Sequence, residues 1–344
     1  MSSEALIGKE QAHPLAKKRW ILLLSISILL IVSCIYGLLV GSVSFTLQDI
    51  YQGIMSEEDT MARRIIWDLR IPRVIVGLLV GMCLAVAGAL MQGVMQNPLA
   101  DPGIIGVSSG AGLMATIIMI LFPAYMIFVP LAAFLGAFVT AMVVYGLAWK
   151  NGASPARIIL VGISINALIG ATMSTIMLLH SDKVQSVLPW LAGGVAGVSW
   201  AHVEMISYYA IGALVLSLFG IKHVRLLSLG DEVATLLGHN VERSRFFLIV
   251  LSTLLAGIAV SVAGLVGFVG LVIPHMVRLL IGNDYRYLLP ISALGGGFLV
   301  VLTDTIARSA FDPIELPVGL LLSFIGGPFF LFLIQRGGKG RAIS

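Results

Sequence analysis

Residues 102–149 form a run of 48 positions without a single Asp, Glu, Lys or Arg, interrupted inside only by Pro123 and Pro130. Roughly 20 apolar residues, rising about 1.5 Å each along a helix, already cross the hydrocarbon core of a bilayer. The run is too long for one crossing and predicts two helices folded back on each other at Pro123. Similar charge-poor stretches lie at 20–48, 74–100, 158–181, 184–203, 205–221, 246–277, 287–303 and 316–335. The chain is therefore expected to live in a bilayer, and its function to lie in what it does across one.

Only 11% of the 344 residues are charged, against about 25% in ordinary soluble domains. The segment Trp20–Val40 follows Lys17-Lys18-Arg19 but is longer than a signal-peptide core, and no small-x-small cleavage site follows it. It is read as an uncleaved first helix. Cys34 and Cys83 both fall in apolar segments, where thiols behave as small hydrophobes. A disulfide between them is the lesser reading. The basic pI does not point to nucleic acid, because Lys and Arg are spread over loops that alternate sides.

Splitting the apolar stretches at their Pro and Gly breaks predicts ten crossings. They lie near 20–40, 74–96, 103–121, 124–148, 158–179, 205–221, 246–265, 267–281, 287–306 and 317–335. Pro189, Gly193, Gly194 and Gly197 make 182–203 a short outer helix plus a turn. With the N-terminus inside, 15 of the 21 Lys and Arg fall on the inner side and six outside: Arg63, Arg64, Arg70, Arg73, Lys183 and Arg308. That bias places both termini in the cytoplasm. The division is then a tail at 1–19, a membrane domain at 20–335 with a cytoplasmic segment near 225–242, and a tail at 336–344. The fold class is an all-α polytopic membrane protein.

The chain also repeats itself. A shift of 176 residues pairs Val86-Ala87-Gly88 with Val262-Ala263-Gly264 and Pro98 with Pro274, among nine identities in 29 positions. The paired helices are the second and the seventh, which cross in opposite senses, so the repeat is inverted, a common plan for transporters. Coincidence among Gly, Ala and Leu is the competing reading. Glycines four apart at Gly37…Gly41 and Gly77…Gly81 would let helix backbones approach closely.

Enzyme patterns carry little. Gly106-Val-Ser108-Ser-Gly110 fits the G-x-S-x-G nucleophile pattern, but that elbow needs a preceding strand and a triad histidine. An intramembrane hydrolase resting on Ser108 stays as a rival reading. The six histidines show no metal-ligand spacing, and no phosphate-binding G-x-x-x-x-G-K-[ST] loop is present. No catalytic, cofactor or metal site is therefore assigned. Ionisable residues deep in the spans are nearly absent, whereas ion-coupled carriers keep them at mid-membrane depth. A secondary carrier on inverted repeats is thus the weaker transport reading. A pump lacking both internal charge and an ATP loop must draw energy from a partner.

Several motifs resemble one family. Leu69-Arg-Ile-Pro-Arg73, Gln92, Asn97-Pro-Leu-Ala-Asp-Pro-Gly-Ile-Ile-Gly106, Leu229-Gly-Asp-Glu-Val-Ala-Thr-Leu-Leu-Gly238, Gly267-Phe-Val-Gly-Leu-Val-Ile-Pro-His275 and Arg278 carry the likeness. Asp304-Thr-Ile-Ala-Arg308 and Glu315-Leu-Pro-Val-Gly319 complete it, over about residues 20 to 335. Together they resemble the permease subunits of iron–siderophore, haem and vitamin B12 ABC importers, the FecCD-type family. The resemblance implies a multi-pass protein of the bacterial plasma (inner) membrane that does no bond chemistry. Its partners would be a cytoplasmic ATPase dimer, an external substrate-binding protein, a second permease subunit, identical or homologous, and a metal-chelate substrate. It implies docking of the binding protein at Arg70, Arg73 and Arg308. It places ATPase coupling at Leu229, Gly230, Asp231, Glu232, Ala234, Leu237 and Gly238. It also implies a gate at Asn97, Pro98 and Leu99, with a second gate segment at Ser154, Pro155 and Ala156.

Overall fold

A computed structural model of the chain describes residues 3–41, 43–55, 60–150, 152–310 and 314–339. Its helices are α1 (Ser3–Leu39), α2 (Leu47–Met55), α3 (Met61–Arg63), α4 (Ile71–Val94), α5 (Val107–Leu121), α6 (Val129–Ala148) and α7 (Pro155–Leu179). They continue as α8 (Val184–Ala192), α9 (Trp200–Leu227), α10 (Asp231–Leu236), α11 (Val241–Ala263), α12 (Val269–Ile281), α13 (Tyr285–Ser309) and α14 (Val318–Lys339). Among the described residues there is no strand. Among the described residues seven helices are long and apolar enough to cross a membrane, and shorter apolar helices, α5, α12 and the first part of α14, stand at the other three expected positions. The chain is a polytopic helical membrane protein. As expected, 182–203 holds one short helix, α8, and a turn in which Gly193 and Gly197 take positive φ of 71° and 73°.

Several helix ends differ from the sequence reading, among them the starts of the second and third spans. The second span does not begin at 74 but runs as one continuous helix over Met61–Val94. Its first part contains a π-helical turn, Arg64–Arg70, where the Ile71 N–H bonds the Ile66 carbonyl five residues back. This wider turn directly precedes Pro72, whose ring lacks an N–H and would clash with an ordinary α turn. Ile66, fully buried, packs where Gly53 of α2 leaves no side chain. The third span does not begin at 103. Residues 102–105 form a 3₁₀ turn, and α5 starts only after Gly106, whose φ of 88° suits glycine. α1 already begins at Ser3 and α14 runs to Lys339, while 1–2 and 340–344 lie outside the described residues.

Burial decides which helices form the centre. The membrane windows of α4 and α11 are 78% and 72% buried, against 17% for α1 and 11% for α7. Small residues make that centre possible. A Cβ added to Gly88 would lie 2.0 Å from the Gly270 carbonyl oxygen of α12, and one on Gly81 would lie 2.2 Å from that of Gly296 on α13. Backbone cannot give way there as a flexible side chain can. Gly88→Ala is therefore expected to lower stability by about 1–3 kcal/mol or more. Gly146→Ala meets nothing within 4 Å, so it serves as the control in detergent melting, and an equal effect in both would remove the close-approach argument.

The order of elements repeats: a long buried helix and then a short one occur as α4–α5 and as α11–α12, each followed by two more spans. The two long helices run antiparallel, because Asp231 meets both Gln96, just past the end of α4, and Arg245, near the start of α11. The residue register is not 176, however. Gly88 lies inside α4, whereas Gly264 caps α11 with φ of 65°. The Val-Ala-Gly match joins two residues with different duties.

Candidate functional site

The site at the α10 end begins with a short helix packed on the ends of α9 and α11. Gly230 and Gly238, at φ of 99° and 74°, turn the chain into and out of α10. Asp231 and Glu232 stand in its first turn, where the positive end of the helix dipole favours acids. Leu229, Val233 and Leu237 are exposed, and Leu236 is 88% exposed. This leaves an apolar face on α10 open to solvent, the kind of feature that marks contact sites. Ala234, grouped with these residues by sequence, instead points inward and is fully buried where α10 meets α9 and α11.

Asp231 anchors this helix. Both its carboxylate oxygens accept from Arg245 Nη2, at 2.8 and 2.7 Å, and Oδ1 also accepts from Gln96 Nε2 at 3.1 Å. Arg245 is the largest fully buried side chain described, 1% exposed, and its Nη1 donates to the Ala153 carbonyl at 2.7 Å. Glu242 approaches the same Nη1 at 3.6 Å and accepts from the Ala153 N–H at 3.2 Å. A buried guanidinium with so many acceptors is costly to desolvate and tolerated only because it is paired. One ion pair thus joins α10 to the ends of both segments assigned to the gate.

Both segments are closed by local hydrogen bonds. Gln96 takes a positive φ of 49°, uncommon for a side-chain-bearing residue, just before Asn97 and Pro98. Asn97 Oδ1 accepts from the Leu99 N–H at 2.9 Å, closing a turn on itself. Beyond it, Asp101 caps the 3₁₀ turn by accepting from the Gly103 N–H at 2.8 Å. At the second segment, Ser154 caps α7 and Pro155 opens it, with Ala156 exposed. Arg157 clasps the loop through the Lys150 and Gly152 carbonyls, each at 2.7 Å.

At the other end of the bundle the three arginines assigned to docking are engaged within the chain. Arg73 forms a bidentate pair with Asp304, both contacts at 2.9 Å, and reaches Glu315 at 2.8 Å. Arg70 donates to the Leu38 and Val43 carbonyls and lies over the Phe45 ring. Arg308 donates to the Gly37 carbonyl. Arg70 and Arg308 are 4% and 6% exposed. Together with Glu315 they line a small cavity of about 260 Å³. They clamp the end of α1 to α4 and α13; Gly41 makes room for the Arg70 guanidinium and Gly37 for the Val74 and Thr305 side chains, so both admit side chains and not a crossing backbone.

Sequence reasoning missed Gln96, Glu242 and Arg245, and did not pair Arg73 with Asp304 or Glu315. A usable signal existed: in a chain with so little charge, each ion near a helix end needs a counter-ion. Ser108 opens α5, and among the described residues the histidine hydrogen bonds go to Ile176, Ser199 and Ser244, not to it. Cys34 and Cys83 are free thiols.

Comparison with known proteins places this geometry. The FecCD transport family model matches residues 29–336. The hemin transport system permease protein HmuU of Yersinia pestis is 38% identical over 323 residues, covering 92% of this chain and 95% of that protein. The Fe(3+)-citrate import system permease protein YfmE of Bacillus subtilis (strain 168) is 35% identical, with 93% and 96% covered. The cobalamin import system permease protein BtuC of Halobacterium salinarum is 40% identical over 80% of this chain and 74% of its own. Among solved structures, a metal-chelate type ABC transporter in an inward-facing conformation superposes with a TM-score of 0.82 at 30% identity. That match covers 91% of this chain and 98% of the other.

Proposed function

Since the chain belongs to the FecCD transport family, we propose that it is the permease subunit of an ATP-driven importer of a ferric chelate, haem or corrinoid. It is a multi-pass protein of the bacterial inner membrane. The observation that carries the reading is α10, a short helix with an open apolar face, fixed by Asp231 and Arg245 to both gate segments. A separate ATPase dimer grips that face and, on ATP binding, shifts α10. The shift reaches Asn97–Leu99 through Gln96 and Ser154–Ala156 through Ala153. A second permease subunit packs along α7, whose membrane window is only 11% buried. A binding protein delivers the chelate at the Arg70–Arg73–Arg308 end. The permease makes and breaks no covalent bond.

Leu236→Asp tests this in the full transporter. Leu236 is 88% exposed, so melting of the permease should not change. Losing one buried leucine from the partner cleft costs about 1.5–3 kcal/mol, so ATPase co-purification and substrate-stimulated hydrolysis should fall at least about ten-fold. Full coupling in this variant would sink the assignment. Orientation is tested separately. Cysteine at Ser228 should react with an impermeant thiol reagent only from the cytoplasm, and cysteine at Ser181 only from outside. The reverse pattern would invert the proposed topology.

A further inference from the structure

Beside α10, between the ends of α4, α9, α12 and α13 on that side, lies a cavity of about 1180 Å³. That slightly exceeds the range of about 300–1,000 Å³ typical of small-molecule sites. Its wall carries four cations, Lys222, Arg225, Arg278 and Arg286, against one carboxylate, Asp284. Asp284 is already engaged, accepting from Arg19 at 3.3 Å and from the Arg286 N–H at 3.2 Å. Arg278 is aimed in advance. Its Nη1 donates to Gln92 Oε1 at 2.9 Å and its Nη2 to the Tyr285 hydroxyl at 3.2 Å. Both partners are neutral and only 2% exposed, so the guanidinium is positioned without being neutralised. Arginine held in this way is suited to phosphate.

The cavity wall then changes character along α9. Leu218, Ile221 and Leu226 belong to it, and Leu218 is 53% exposed on the same helix as the outward Phe219 and Val215. A soluble anion has no use for that apolar strip, whereas an acyl chain does. Basic pockets between membrane helices on the cytoplasmic side take anionic headgroups. We propose that this cavity binds an anionic phospholipid of the leaflet on the α10 side. Its phosphate sits against Arg278, Lys222 and Arg286, and one chain lies along Leu218 and Ile221. Because Asn97, Pro98 and Leu229 border the same cavity, the bound lipid braces the gate and the root of the α10 segment. The site requires only that the chain be embedded in a bilayer, so it stands apart from the identity of the cargo and the ATPase.

The test uses the full transporter, reconstituted in phosphatidylcholine with or without phosphatidylglycerol, then extracted for native mass spectrometry of retained lipid. Wild type should retain phosphatidylglycerol in preference to phosphatidylcholine. Lys222→Gln/Arg286→Gln removes two exposed charges without touching the fold, and retention should fall roughly 30-fold, as expected for two charge–headgroup contacts. Arg278→Gln should lower it further. Lys150→Gln/Arg243→Gln removes the same charge at the same end, outside the cavity, and should retain lipid like wild type. Equal loss in both double variants would reduce the effect to general surface charge and overturn the site. Inorganic phosphate raising the melting temperature as much as phosphatidylglycerol, with no lipid retained, would assign the cavity to a soluble anion instead. Loss of the ATPase from Lys222→Gln/Arg286→Gln with lipid retention intact would assign it to an acidic partner segment. Each of these results refutes the lipid site, and retention is read on the permease whether or not the ATPase remains bound.

Discussion

Asp231→Ala should abolish substrate-stimulated ATP hydrolysis, whereas Glu232→Ala, one residue along the same helix, should leave most of it. Both acids stand in the first turn of α10, so the helix dipole treats them alike. Their tertiary roles differ. Asp231 supplies both short contacts to Arg245 Nη2, and Arg245 is 1% exposed. Removing one partner of a buried pair costs about 3–5 kcal/mol, mainly because the other charge stays buried. Glu242, at 3.6 Å, can take over part of that duty, so the lower end of the range is expected. The double variant Asp231→Ala/Arg245→Met removes both charges and should regain much of the lost melting temperature. It should not regain coupling, because α10 would no longer be tied to Ala153 and Gln96. Recovery of both together would show that the pair contributes stability only, and normal hydrolysis in Asp231→Ala would remove it from the mechanism altogether.

Arg73→Glu is expected to prevent accumulation of folded permease. Arg73 and Asp304 side chains are 12% and 5% exposed, and Glu315 completes the cluster. The reversal breaks a bidentate pair and sets a third carboxylate beside two others, a loss of at least about 3–5 kcal/mol. That loss bears on fold, not on docking, so the reversal alone says nothing about the binding protein. The charge swap Arg73→Glu/Asp304→Arg separates the two. It keeps the internal pair and should restore folding. If this end of the bundle steers an acidic binding protein, the swap should still weaken docking, and wild-type docking should weaken with salt. Docking that is indifferent to both salt and the swap would leave the cluster as a clamp between α1, α4 and α13.

The helical plan was legible because its cause is local. Charge-free runs at 102–149 and elsewhere, with breaks at Pro123 and Pro130, cannot satisfy their backbone in a membrane except as helices, and their lengths set the number of crossings. Helix starts were less legible. Arg63, Arg64 and Arg70 argued for a loop by composition, yet they continue α4 through a π turn because Ile66 finds a pocket at Gly53. The register of the repeat failed for a related reason. A glycine that admits a crossing backbone, Gly88, and one that reverses the chain, Gly264, look the same in sequence.

The sequence by itself determined a membrane-embedded helical bundle, a polar segment near 225–242 between spans, and the motifs that carry the family likeness. The bundle follows from composition and spacing along the chain, where hydropathy and helix periodicity act over a few turns, and the likeness rests on the motifs themselves. Only the tertiary structure decided which charges meet. Arg245 binds Asp231 across 14 residues, Arg73 binds Asp304 across 231, and Arg278 is set by Gln92 across 186. It also turned Ala234 inward while leaving Leu236 open. In a bilayer an ion near a helix end must find its counter-charge or polar partner wherever packing brings one. That partner is chosen by which helices touch, a property of three dimensions that no local spacing encodes.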